Sequence, residues 1–201
     1  MARFWSSAAA TSRSHTTSMW SLTNPIGTIT APVVGSWLWP PWMVRVAGHN
    51  VIPDVQASLA RMEYVVNRVH SRQWRGYSGR AISDVVNIGV GGSDLGPSMV
   101  STALAEFTAE AARDLRFHYV SSIDGTQIAD LLQSLNPKTT LFIISSKSFT
   151  TVDTMSNART AWEWMLREID DADMLLQHHF IGVSACPDRM TQWGIPPDNQ
   201  I

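Results

Sequence analysis

Residues 145–151 read Ser-Ser-Lys-Ser-Phe-Thr-Thr; six of these seven side chains can donate a hydrogen bond, and one of them is a cation. A phosphate dianion has three terminal oxygens with several acceptor sites, and a cluster of this kind can saturate them. Capping a helix that starts here uses one hydroxyl rather than five, so the surplus points to an oxyanion. Asp153 works against that reading unless its carboxylate turns away, and Phe149 reads as a packing residue. Charge-assisted hydrogen bonds contribute roughly 1.5–3 kcal/mol each. Four or five of them, less an association cost of about 4–15 kcal/mol, leave roughly millimolar to micromolar affinity, which suits a metabolite.

Residues 89–97, Gly-Val-Gly-Gly-Ser-Asp-Leu-Gly-Pro, offer a second anion-binding turn. Consecutive glycines let backbone amides approach a ligand closely. A helix beginning near Asp94 turns its unpaired N–H groups and positive dipole end the same way, and Ser93 adds a hydroxyl. A dinucleotide fingerprint would need glycine at Asp94, and a Walker loop would need lysine where Pro97 stands, so neither a dinucleotide nor ATP fits. A tight strand-to-helix turn that needs glycine for packing alone remains open for this segment.

The elements that must hold these turns are short apolar runs alternating with helical patterns. Strands read at 85–90, 117–121, 140–144 and 180–183; helices read at 54–72, 95–107, 125–135 and 151–169. Val55, Leu59, Met62, Val66 and Val69 recur at the spacing of an amphipathic helix behind Pro53. Strands separated by helices imply right-handed crossovers and an α/β fold: a doubly wound parallel sheet with helices on both faces. Ligands of such sheets sit at the carboxyl edge, where both turns leave their strands. The prediction is that they converge on one phosphoryl group.

Composition narrows the classes. With 201 residues, 44% hydrophobic and 16% charged, the chain has room for one folded domain and a further segment. A net charge of −2 gives no general reason to bind nucleic acid or an anionic membrane, and no apolar run reaches the ~20 residues that span a bilayer. Cys186 is the sole cysteine, which excludes an intramolecular disulfide framework and fits a reducing compartment. His178 and His179 are adjacent and read as a pair on a loop or helix surface; no metal and no cofactor are expected. Residues 1–50 stand apart, with no Asp or Glu and five of the nine tryptophans. This irregular stretch has the composition of a transit peptide, or marks a wrongly assigned start of the coding sequence.

Residues 85–100, VVNIGVGGSDLGPSMV, resemble the glycine-rich block of the glucose-6-phosphate isomerase family. Residues 119–130 (YVSSIDGTQIAD) and 139–157 (TTLFIISSKSFTTVDTMSN) are similar to the next two blocks in the same order, and NVIPDV (50–55) and WRGY (74–77) match upstream. The resemblance implies a flavodoxin-like sugar-isomerase (SIS) domain over 51–201, incomplete here. It implies that the phosphate of glucose 6-phosphate or fructose 6-phosphate is held at Gly92, Ser93, Ser146, Lys147, Ser148, Thr150 and Thr151. Ser148 stands where the family usually has threonine, and Ser122 where it usually has asparagine. A cytoplasmic, homodimeric isomerase of glycolysis and gluconeogenesis follows by resemblance.

The family's aldose–ketose reaction uses a glutamate, a histidine, a lysine and an arginine that follow a Gly-Gly-Arg block, and this sequence ends at Ile201 before them. The expectation is therefore a phosphate-holding half with no catalytic residue, inactive alone. Glu163, Glu168, Asp170, Asp171 and Asp173 read as solvated acids on a helix and the loop after it. A non-catalytic SIS domain that senses sugar phosphate, and a fragment without function, are the alternatives.

Overall fold

The computed structural model describes residues 20–24, 27–31 and 44–201. The chain forms two compact units, Met1–Leu59 and Ala60–Ile201. In the first, β1 (Trp20–Asn24), β2 (Gly27–Ala31), β3 (Arg45–Val46) and β4 (His49–Asn50) pair antiparallel in that order. The remainder of the acid-free stretch, with its transit-peptide reading, lies outside the described residues.

Helix α1 (Ile52–His70) starts where the Asn50 side-chain oxygen accepts from the Ile52 amide at 3.2 Å. Asp54 sits in its first turn and Arg68 and His70 in its last, charges that suit the helix dipole. The apolar stripe that identified this helix is largely exposed at Val55, Leu59, Met62 and Val66, whereas Val65 is buried.

The second unit is built on a parallel sheet in the order β6-β5-β7-β8, with β5 at Asp84–Gly89, β6 at Arg116–Val120, β7 at Thr140–Ser145 and β8 at Phe180–Val183. Side chains alternate between its faces. Val86, Ile88, Phe142, Ile144 and Phe180 point one way, into a core shared with Ile128, Leu132, Met165 and Leu175. Val85, Leu141 and Ile181 point the other way, against Val65, Trp74 and Ile82. The first face is covered by α3 (Gly125–Ser134), α4 (Val152–Leu166) and α5 (Ala172–His179), and the second by the part of α1 from Ala60 onward. This is the doubly wound α/β architecture read from the sequence. Among the described residues no helix is long and apolar enough to cross a membrane.

Three differences from the sequence reading have local causes. Helix α2 (Gly92–Ala103) begins at Gly92 rather than near Asp94, because Gly91 at φ 60° makes the turn earlier. The acids after α4 do not all lie on a loop: Asp171 accepts from the Met174 amide at 3.0 Å and starts α5, which buries Leu175 and Leu176. A last helix, α6 (Pro187–Trp193), has proline at its first turn and Gly194 at φ 106° after its end, a pairing of start and stop signals.

Candidate functional site

The connection from β5 runs through α2 to β6 on one side of β5, and the connection from β7 runs through α4 and α5 to β8 on the other side. Right-handed crossovers then put α2 and α4 on opposite faces of the sheet. Between β5 and β7 the connections therefore part to opposite faces, the kind of switch point at whose carboxyl edge open α/β sheets take ligands. The two strands are in direct register, from Asp84↔Thr140 to Gly89↔Ser145. The glycine turn and the hydroxyl turn therefore leave neighbouring strands at the same level.

In the glycine turn, the Ser93 amide donates to the Val90 carbonyl at 3.2 Å, and those of Asp94 and Leu95 donate to Gly91 at 3.1 and 2.8 Å. The Gly91 and Gly92 amides have no protein partner among the described residues, so they, rather than the amides after Asp94, are the open donors. Gly92 is exposed and Ser93 half-buried. Gly89 is required by close approach: a Cβ there would stand 2.7 Å from the Ser93 carbonyl oxygen and 3.1 Å from that of Ser145.

In the hydroxyl turn the side chains meet in pairs. Ser146 and Thr151 share a hydrogen bond of 3.1 Å, and Ser148 and Thr150 one of 2.7 Å. Ser146 is buried, and its hydroxyl also accepts from the Phe149 amide at 3.1 Å. Thr151 occupies the cap position of α4 without capping it, because its hydroxyl is directed to Ser146. Lys147, Thr150 and Thr151 are exposed and Ser148 is half-buried. Phe149 holds a left-handed backbone, φ 53°, with its ring buried edge-on against Trp193.

Several contributors were not read from the sequence. Asn87, buried near the end of β5, donates to the Ser93 carbonyl and accepts from the Ser145 hydroxyl, both at 2.9 Å. Arg189 of α6 donates to the Ser148 carbonyl at 3.0 Å and brings a second cation beside Lys147. Asn157 of α4 donates to the Ser122 carbonyl at 2.8 Å, tying in the loop after β6. That loop is also braced by Gln127, whose side-chain oxygen accepts from the Ser121 and Ser122 amides at 3.1 and 3.0 Å. Two buried polar atoms at this edge, Asp94 Oδ1 in the first turn of α2 and Thr154 Oγ1 in that of α4, have no hydrogen-bond partner among the described residues.

The titratable groups with large shifts lie elsewhere. His179, read as half of a surface pair, is fully buried; only its neighbour His178 is partly exposed. Its Nδ1 donates to the Thr140 carbonyl at 2.6 Å and its Nε2 accepts from the Tyr77 amide at 2.8 Å, which fixes a neutral tautomer. Burial pushes its pKa down to about 4, against the Thr140 bond, with His178 nearby adding to the fall. Asp84 at the start of β5 is likewise buried. Burial pushes its carboxyl up, but hydrogen bonds from Arg116, His118 and Ser83 and the Arg116 charge outweigh that and hold it at about 2.

A family model described as phosphoglucose isomerase matches residues 41–201. The chain belongs to that family. It is 50% identical over 163 residues to glucose-6-phosphate isomerase 2 of Chromohalobacter salexigens, covering 78% of this chain and 29% of that protein. It is 52% identical over 165 residues to glucose-6-phosphate isomerase of Acinetobacter baylyi, covering 80% and 30%. The chain thus spans less than a third of the length of these curated relatives. Among solved structures, a glucose-6-phosphate isomerase of Chlamydia trachomatis superposes with a TM-score of 0.54 at 23% identity, over 68% of this chain and 24% of that one, a likeness of fold. A hypothetical protein of Thermus thermophilus gives a TM-score of 0.53 at 25% identity, over 70% and 31%. Both the glycine turn and the hydroxyl turn fall inside the phosphoglucose isomerase match.

Proposed function

We propose that residues 51–201 form a sugar-phosphate-binding SIS module of a glucose-6-phosphate isomerase, taking the phosphate of glucose 6-phosphate or fructose 6-phosphate at the carboxyl edge between β5 and β7. The observation that carries this reading is the register of the two strands, which sets an amide-rich turn beside a hydroxyl-rich one. The open Gly91 and Gly92 amides, Ser93, the uncapped start of α4, and the side chains of Lys147, Ser148, Thr150 and Thr151 are the donors a dianion needs. Ser146 holds Thr151 in place, and the Thr151 hydroxyl can then donate outward while accepting from Ser146.

Isomerisation through a cis-enediol moves a proton between C1 and C2 and needs a positioned general base. Within residues 89–97 and 145–153 the ionisable side chains are Asp94, Lys147 and Asp153. Each belongs to a phosphate turn or the helix start behind it, so this reading assigns the chain phosphate binding and leaves proton transfer to groups outside these turns. A non-catalytic binding module remains the second reading, favoured by the same inventory.

Thermal-shift titration with glucose 6-phosphate and 6-phosphogluconate tests the binding claim. At a hundredfold excess over Kd the melting temperature should rise by roughly 5 °C or more, and the Ser146→Ala/Thr151→Ala double variant should lose that rise. A double variant that kept the full shift would remove these residues from the site. A coupled assay converting fructose 6-phosphate should read zero on the 201-residue chain, and robust turnover would overturn the division of labour.

A further inference from the structure

We infer that Asn87 is the positioning residue that sets the two phosphate turns in register, so that occupancy of one is felt by the other; this rests on the reading of the turns as one oxyanion site. Asn87 sits two residues before the glycine turn leaves β5, opposite Ile143 of β7. Its Nδ2 donates to the Ser93 carbonyl and its Oδ1 accepts from the Ser145 hydroxyl, each at 2.9 Å. A carbonyl can only accept, so the Ser93 contact fixes which end of the amide faces which turn.

Asparagine meets both demands with one short planar group. Aspartate would set a carboxylate oxygen against the Ser93 carbonyl, and leucine, close in shape, would offer neither bond. Gly89 closes the space beneath, with the Ser93 and Ser145 carbonyl oxygens both within 3.1 Å of where its Cβ would be. A shift of the Ser93 backbone is therefore passed through a rigid, buried amide to Ser145, the residue next to Ser146. The Ser145 hydroxyl spends its proton on Asn87, which is why it holds the turn and does not join the anion-binding set.

The test compares the 201-residue chain with Asn87→Leu, Asn87→Asp and Ser145→Ala, measuring Kd for inorganic phosphate and for glucose 6-phosphate well below each melting temperature. Loss of both bonds in Asn87→Leu should weaken the two ligands by the same factor, about tenfold, and Asn87→Asp should weaken them further. Ser145→Ala should weaken binding alone and add nothing in the Asn87→Leu background. Unchanged affinity in both Asn87 variants overturns the inference, whatever their stability.

Amide spectra of the ligand-free chain give a second reading. Ser145→Ala should move the Gly91, Gly92 and Ser93 resonances when Asn87 is present and leave them still in Asn87→Leu. Resonances that stay still in both overturn the linkage. If the chain binds neither ligand while the spectra behave as stated, the site reading fails and the linkage stands. Should Asn87→Leu not fold, Ser145→Ala carries both measurements, and parent-like affinity with unmoved resonances overturns the inference.

Discussion

At the amino end of β5 the buried Asp84 carboxylate has a donor on each oxygen: Arg116 bonds both at 2.7 Å, His118 one at 2.9 Å and Ser83 the other at 2.8 Å. At the carboxyl edge of the sheet, the hydroxyls after β7 pair with each other, the buried Thr154 hydroxyl has no partner among the described residues and α4 starts uncapped. The first end is complete without a ligand, and the second has donors to spare. Strongly shifted pKa values are often used to locate functional sites. Here they mark the closed end, where burial and full bonding stabilise the fold, while the proposed site is marked by unspent hydrogen bonds.

That contrast can be broken at either end, and the largest effect belongs to acid. His179 titrates below its ordinary value, so between pH 6.5 and about 4 the unfolded chain binds the proton and the folded chain does not. Its contribution to stability is complete above pH 6.5 and is lost as pH falls toward 4, an effect of about 3 kcal/mol in urea unfolding. A flat stability profile over that window would move the acid limb to another group. Asp84 follows lower, its contribution present above its ordinary value of 3.8 and lost as pH falls toward 2.

Next in size, Asp84→Asn should cost about 2 kcal/mol by chemical denaturation, less than a fully enclosed pair would because Arg116 is largely exposed. Phosphate affinity should not change; a fall with stability would mean the two ends are not separable. Gly89→Ala should do the opposite, costing roughly 1–3 kcal/mol through overpacking and weakening phosphate binding with it. Smallest in stability is Lys147→Ala, whose exposed side chain should alter unfolding by no more than about 0.5 kcal/mol. It should still weaken phosphate binding roughly tenfold, with a shallower dependence on salt. Unchanged binding would remove the cation from the site.

The strands, the order of elements and the two turns were legible because each is written locally: apolar runs bounded by glycine, or hydroxyls crowded where a helix begins. What escaped depends on partners far apart in sequence. Asn87 looks like an interruption in the run VVNIG until Ser145, 58 residues on, is seen beside it. His179 looks like a surface neighbour of His178 until the Tyr77 amide, 102 residues away, is found against its ring. Helix α5 was hidden by the acids before it, since Asp171 serves as a cap and leaves the following leucines to bury. The α1 stripe identified its helix correctly but left the covered face unread, because periodicity reports a helix and an apolar face but not which face the fold covers.

Phe149 carries the one side chain of the hydroxyl turn with no polar group, and it bears on the turn's stiffness. A left-handed backbone costs a non-glycine residue about 1 kcal/mol, and the ring against Trp193 offsets that cost by packing. The curl of residues 146–151 is thus wedged open from below by an aromatic pair, before any anion arrives. If the turn binds phosphate as proposed, trimming Trp193 should slacken the grip without removing a single donor, so affinity would be tuned from the hydrophobic interior as well as from the polar rim.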